Sequence, residues 1–175
     1  MKIVEALDNT SLIKAESKFS YKKEYTDPVL LFLDFDGVLH SLFAEYENTG
    51  LFCKAHYIDT LLRERPNVAV IISSSWAKNH TLEELRAPFS VDVRNRIVGS
   101  ITNQSSNRHD DVIRYIEEND YSYPWIAVDD IALYHTDDPV VWSDWRTGLT
   151  SKTYLALKNA VSSPIEYAEF CKKKF

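Results

Sequence analysis

Val29-Leu30-Leu31-Phe32-Leu33-Asp34-Phe35-Asp36-Gly37-Val38-Leu39 is the stretch on which the fold of this chain turns. Its first five residues are apolar and rich in branched or aromatic side chains, as in a strand buried on both faces. Two carboxylates follow, two positions apart. Desolvated like charges raise each other's pKa and cost stability unless something positive compensates, and a divalent cation is the simplest compensation. Gly37 lets the backbone turn tightly away from the strand, which leaves both acids at the mouth of a site.

Two further runs share this character, Val68 to Ile72 and Trp125 to Val128, and each ends in polar residues. Helical periodicity lies between them, at residues 56–63 and 111–116. Strand, helix, strand alternation predicts an α/β fold, a doubly wound parallel sheet with its ligand crevice at the carboxyl ends of the strands. Short strands are expected at residues 96–98 and 140–142, and a helix from Ser151 to Val161 after the turn at residues 147–150. Thr81 and Glu84 form a capping box for a helix that Pro88 stops. The polar loop at residues 103–107 caps a helix opening near Arg108. Residues 1–27 read as a polar amino-terminal extension, residues 28–175 as one domain, and Lys172-Lys173-Lys174 as a solvated tail.

A length of 175 residues, with 45% hydrophobic and 26% charged residues, suits one globular domain. The net charge of -6 argues against sequence-independent grip on duplex nucleic acid, which needs many Lys and Arg. It leaves room for a phosphorylated substrate held by a metal. No apolar run approaches a membrane span and the first residues lack the long apolar stretch of a signal peptide, so a cytoplasmic location without membrane contact is expected. Cys53 and Cys171 stand apart from each other and from any Cys or His cluster in the sequence, which reads as free thiols, without a zinc site or a disulfide.

Four polar sites follow strand ends or open a helix in order: Asp34 with Asp36, then Ser73-Ser74-Ser75, then Arg108, then Asp129 with Asp130. Singly, each has a plain structural explanation as a turn, a capped loop, a surface charge or an N-cap pair. Their order makes the case. The set resembles the haloacid dehalogenase (HAD) superfamily of aspartate-nucleophile phosphatases. The residues of 32–40, the segment Ile71-Ile72-Ser73-Ser74-Ser75-Trp76, the Arg108-His109-Asp110-Asp111 segment, Trp125 to Asp130 and Gly148-Leu149-Thr150 resemble, more narrowly, the HAD domain found in Swiss Army Knife RNA repair proteins.

That resemblance implies a three-layer, Rossmannoid HAD-like domain and a Mg²⁺-dependent phosphatase working through an aspartyl-phosphate on Asp34. Asp34 and Asp36 are then the catalytic pair, the first as nucleophile and the second moving the proton. Ser73 or Ser74 and Arg108 bind phosphate, Arg108 in the role that Lys more often fills. Asp34, the main-chain carbonyl of Asp36, Asp129 and Asp130 hold the metal, an all-oxygen set that suits Mg²⁺. Relatives of the subgroup often carry Arg directly after the tryptophan, where this chain has Ala77 followed by Lys78. His40 and Trp76 stand near these motifs, each with a structural and a functional reading.

Fewer than thirty residues separate Leu39 from Val68, and helices with a short strand use the space from Trp76 to Asp129, so a minimal cap or none is expected. An open site admits a phosphorylated small molecule or a nucleic-acid end as substrate, the latter making the protein a polynucleotide-end phosphatase in RNA or DNA repair. Alternatives of another class are a receiver-like phosphoacceptor and a non-catalytic phosphate-binding module. A receiver carries its phosphoacceptor Asp on a middle strand, whereas the middle strand here ends in serines, and all four motif positions retain usable chemistry.

Overall fold

The computed structural model describes residues 26–44 and 50–173. Among them, five strands form one parallel sheet: β1 (Val29–Leu33), β2 (Val68–Ile72), β3 (Ile97–Ser100), β4 (Trp125–Asp129) and β5 (Val140–Trp142). Their order is β3-β2-β1-β4-β5, with Leu31 opposite Val70 on one side and Ile126 on the other. A central strand covered on both faces must be apolar throughout, and all five residues of β1 are fully buried.

The alternation of side chains along the strands sorts the core into two layers. Val29, Leu31 and Leu33 face α1 (Ala55–Glu64), α2 (Leu82–Arg86) and α4 (Ser151–Ser162), which bring Ile58, Leu61, Leu85, Leu157 and Val161 to that side. Leu30 and Phe32 face α3 (Arg108–Glu118) through Val112, Tyr115 and Ile116. This is the three-layer, doubly wound α/β sheet expected from the strand and helix alternation. Among the described residues, the segment between Leu39 and Val68 builds α1 and its leading turns, with no further domain inserted. No helix of the described residues is long and apolar enough to cross a membrane. The extension read over residues 1–27 lies outside the described residues except for its last two.

Several local readings find their physical basis. Thr81 and Glu84 close the capping box at the start of α2. Asn107 caps α3, its side-chain oxygen accepting the N–H groups of His109 and Asp110. Two readings shift. The strand expected at residues 96–98 runs from Ile97 to Ser100, and a last helix that no reading placed, α5 (Pro164–Lys173), takes in Lys172 and Lys173 of the expected tail. α5 has a short apolar stripe: Tyr167 packs on the core, its hydroxyl donating to the Val140 carbonyl at 2.9 Å, and Cys171 is buried. Lys172 and Lys173 remain exposed, in the last turn, where the helix dipole favours cations. Cys53 and Cys171 form no disulfide.

Arg96 ends the turn before β3 and is buried. Its guanidinium donates to the carbonyls of Leu62 at 2.7 Å, Arg65 at 2.7 Å and Val68 at 3.0 Å. Burial holds its pKa down to about 10. Arg96→Met strands these carbonyls without donors, and the folded state should lose about 3 kcal/mol, read as a lower urea midpoint.

Candidate active site

The carboxyl ends of three neighbouring strands meet at one crevice: Asp34 follows β1, Ser73 and Ser74 follow β2, and Asp129 is the last residue of β4. Such a switch point, with β1 paired on either side, is where parallel sheets bind ligands. Asp34 is buried, and its Oδ1 accepts the Phe35 N–H at 2.8 Å. Arg108 opens α3, which is seated by the Asn107 cap and by the Arg108 N–H donating to the Leu133 carbonyl at 2.9 Å. Its guanidinium lies between two acids, 3.8 Å from Asp34 Oδ1 and 3.7 Å from Asp129 Oδ2.

One cation faces three carboxyl groups here. Oxygens of Asp34, Asp129 and Asp130 lie within 4.8 Å of one another. Burial raises the pKa of Asp34 to about 7, the Asp129 charge adding to it and Arg108 opposing it. Burial likewise pushes Asp129 and Asp130 up to about 6, against the Ile131 N–H and Arg108 at Asp129. Asp129 Oδ2 and Asp130 Oδ1 are buried without a hydrogen-bond partner. Unpaired buried oxygens in excess of positive charge are a donor set that fits a hard divalent cation, and Mg²⁺ suits an all-oxygen shell.

Gly37 makes this packing possible. Its φ is +66°, and a Cβ on it would stand 2.2 Å from Asp130 Oδ2. Ser143, just after β5, holds the turn from the other side, its hydroxyl donating to the Gly37 carbonyl at 2.6 Å. Gly37→Ala should cost about 2 kcal/mol from strain alone and displace Asp130. The expected result is a lower melting temperature together with weaker Mg²⁺ binding by calorimetry.

Asp36 lies outside the Asp34, Asp129 and Asp130 group, with its side chain about a third exposed at 34%. Its Oδ1 accepts two hydrogen bonds, from His40 Nε2 at 3.0 Å and from the Trp76 indole N–H at 3.0 Å. The His40 bond in the first place, with Trp76 in support, holds its pKa below the usual carboxylate range. His40 Nδ1 accepts the Phe52 N–H at 3.3 Å, so the ring proton sits on Nε2 and points at Asp36. Phe52 adopts φ +58°, a strained conformation for a bulky residue, and sets its ring 5.1 Å from those of His40 and Trp76 and 5.4 Å from that of Phe35. Phe35, Phe52, Trp76, His80 and Leu85 line a largely apolar cavity of about 290 Å³ beside this cluster. His40 and Trp76 therefore hold Asp36 and take part in the packing at once.

The two serines diverge. The Ser74 hydroxyl faces Asp34, near enough to draw its pKa down although it makes no well-formed hydrogen bond. The Ser73 hydroxyl faces the buried Tyr134 hydroxyl. Gln104 steadies the Ser74 main chain, its amide donating to the Ser74 carbonyl at 2.6 Å and to that of Ile101 at 2.8 Å. Ala77 is buried and carries no charge after Trp76, while Lys78 is exposed. The turn at residues 147–150 packs on the first motif: Leu149 N–H donates to the Val38 carbonyl at 2.8 Å, and a Cβ on Gly148 would meet that carbonyl at 2.7 Å. Ser143 and Gln104 carry no signal in the linear sequence; their contacts come from elements distant in the chain.

A parallel α/β sheet with an acid pair after its central strand, a hydroxyl at the next strand end, a buried Arg and a late acidic pair defines the class of HAD-like proteins. The family model described as "HAD domain in Swiss Army Knife RNA repair proteins" matches residues 30–154, and the chain belongs to that family. Among curated proteins and solved structures, none matches.

Proposed function

We propose that the protein is a Mg²⁺-dependent phosphatase that cleaves phosphate monoesters through an aspartyl-phosphate on Asp34. The observation that carries this reading is the convergence of Asp34, Asp129, Asp130, Arg108 and Ser74 at the end of β1, with Asp36 held separately by His40 and Trp76. Asp34, Asp129, Asp130 and the Asp36 main-chain carbonyl would hold Mg²⁺, whose charge offsets that of the phosphate.

Within the protein, Oδ1 of Asp34 is occupied by the Phe35 N–H, which leaves Oδ2 to attack phosphorus. As the new O–P bond forms, the bond to the leaving oxygen breaks, and Asp36, ionised in the free protein, supplies that oxygen's proton from the protonated form that the negative charge of a bound phosphate favours. With Oδ1 taken by His40 and Trp76, Oδ2 of Asp36 is the atom that carries it. Water then attacks the phosphoryl group, Asp36 takes back a proton, and phosphate leaves with Asp34 restored. Arg108 neutralises the nucleophile and phosphate from the α3 side, and Ser74 offers its hydroxyl to a phosphate oxygen.

The substrate reading that the family description favours is a polynucleotide end, as in RNA repair. The surface beside the first motif supports it. Leu42 N–H donates to the Trp145 carbonyl at 2.8 Å, the rings of the exposed Phe43 and of Trp145 stand 5.5 Å apart, and the Arg146 guanidinium lies 4.5 Å over the Trp145 ring. Aromatic faces with Arg are what single strands stack on.

Hydrolysis of an aryl phosphate with Mg²⁺ and with excess EDTA tests the reaction. Mg²⁺-dependent release of phosphate is expected; inertness with metal across a broad panel of phosphate esters would refute it. Comparing 3′- and 5′-phosphorylated oligonucleotides with mononucleotides then tests the substrate class, and a preference for the mononucleotides would count against the polynucleotide reading.

A further inference from the structure

We propose that His109, His135 and Asp138 form a second metal site, for a divalent transition ion of the Zn²⁺ type. Their ligand atoms lie within 4.8 Å of one another, in a group separate from the Asp34, Asp129 and Asp130 group. His109 Nδ1 lies 2.8 Å from Asp138 Oδ1 and 2.9 Å from Oδ2. The His135 ring stacks on that of His109, with centroids 3.8 Å apart and planes within 19°. Asp138 is buried, His109 half-buried and His135 exposed, so the group opens to solvent on one side.

The main chain already holds the three residues together. His109 sits in the first turn of α3, its N–H accepted by Asn107 Oδ1 at 2.9 Å. His135 and Asp138 share one turn that is closed twice, the Asp138 N–H donating to the His135 carbonyl at 3.1 Å and the His135 N–H to Asp138 Oδ2 at 2.8 Å. A single His109 to Asp138 bond accounts for anchoring that loop. It does not account for His135, an exposed imidazole laid flat on another. Together with the buried Asp138 carboxylate, the stacked rings gather two imidazoles and one acid, the donor types that a transition ion takes.

Ligand chemistry separates the two sites. Imidazole nitrogens with one carboxylate favour Zn²⁺ and its neighbours, while the all-carboxylate group favours Mg²⁺. Three protein ligands leave a further position for water. An ion here would tie the start of α3 to the loop after β4, the two segments that carry Arg108 and Asp130. The histidines are far apart in the chain, which is why reading it for His and Cys clusters suggests no zinc site.

The test is calorimetric titration of Zn²⁺, and visible titration of Co²⁺, into the full chain kept in excess Mg²⁺. One equivalent of Zn²⁺ should bind, Co²⁺ should give a ligand-field band, and Zn²⁺ should raise the melting temperature. His135→Ala, which keeps the main-chain bond to Asp138, and Asp138→Asn should each weaken Zn²⁺ binding by roughly tenfold or more. Neither should change Mg²⁺ binding. Absence of Zn²⁺ binding under excess Mg²⁺ would overturn the proposal. So would binding of undiminished strength in both variants, or binding lost on Asp129→Asn, which would place the ion among the aspartates. Because the readout is binding, the outcome does not depend on whether the protein is a phosphatase.

Discussion

Asp34→Asn is expected to abolish phosphate ester turnover, by on the order of 10³-fold or more, while leaving the metal-free protein at least as stable as wild type at pH 8. The amide cannot form the acyl phosphate, so the chemistry loses its nucleophile. It also removes a buried charge that its surroundings oppose, since burial and Asp129 push the Asp34 pKa up to about 7. A residue that only built the fold would show the reverse pattern, with stability falling along with activity. His40→Ala provides the contrast. His40 has no hydrogen bond to Asp34, Asp129 or Asp130 among those described; it orients Asp36 through one hydrogen bond. Its loss should lower kcat by about tenfold with little effect on Mg²⁺ binding, the size typical of partners that orient a reacting group. Steady-state kinetics and thermal melts on both variants check these outcomes. Full activity of Asp34→Asn would remove the proposed mechanism.

Stability of the metal-free protein should fall as pH rises from 5 to 8, and Mg²⁺ should reverse that fall. Asp34 titrates at about 7 in the fold, and Asp129 and Asp130 at about 6, against 3.8 for an unperturbed carboxyl. The folded protein thus binds more protons than the unfolded chain in this window. The stability these groups contribute is fully present below about pH 4 and is lost as pH rises through 6 and 7. For Asp34 the shift from 3.8 to about 7 corresponds to on the order of 4 kcal/mol. Asp36 has the opposite sign: His40 depresses its pKa, so its contribution is present at neutral pH and lost as pH falls. A divalent ion takes the place of the protons on the raised carboxyls and binds their ionised forms. The rise in melting temperature on adding Mg²⁺ should therefore be small near pH 5 and large near pH 8. A pH-independent rise would place the ion elsewhere.

The layout of the fold and much of the candidate site are legible along the chain because both depend on local, repeated features. Leu33 to Gly37 announces a buried strand ending in acids, and Ser73, Ser74, Arg108, Asp129 and Asp130 follow in register with later strand ends or a helix start. The resemblance adds their roles. What does not show is whatever depends on which elements become neighbours. α5 has too short an apolar stripe to stand out, yet Tyr167 finds a carbonyl of β5. Ser143 and Gln104 are ordinary loop residues until the turn at Gly37 and the main chain of Ser74 come within reach.

Sequence by itself determined the α/β class, the parallel sheet and the place of the acids at strand ends, because hydrophobic periodicity and turn chemistry act within a few residues. The tertiary structure decided how those groups divide. It turned Ser74 toward Asp34 and Ser73 toward Tyr134, and it put Asp36 under His40 and Trp76 while setting one guanidinium between Asp34 and Asp129. It also stacked His109 on His135. The physical reason is common to all of these: charge, burial and hydrogen bonding depend on distances through space, and only the packed sheet sets those.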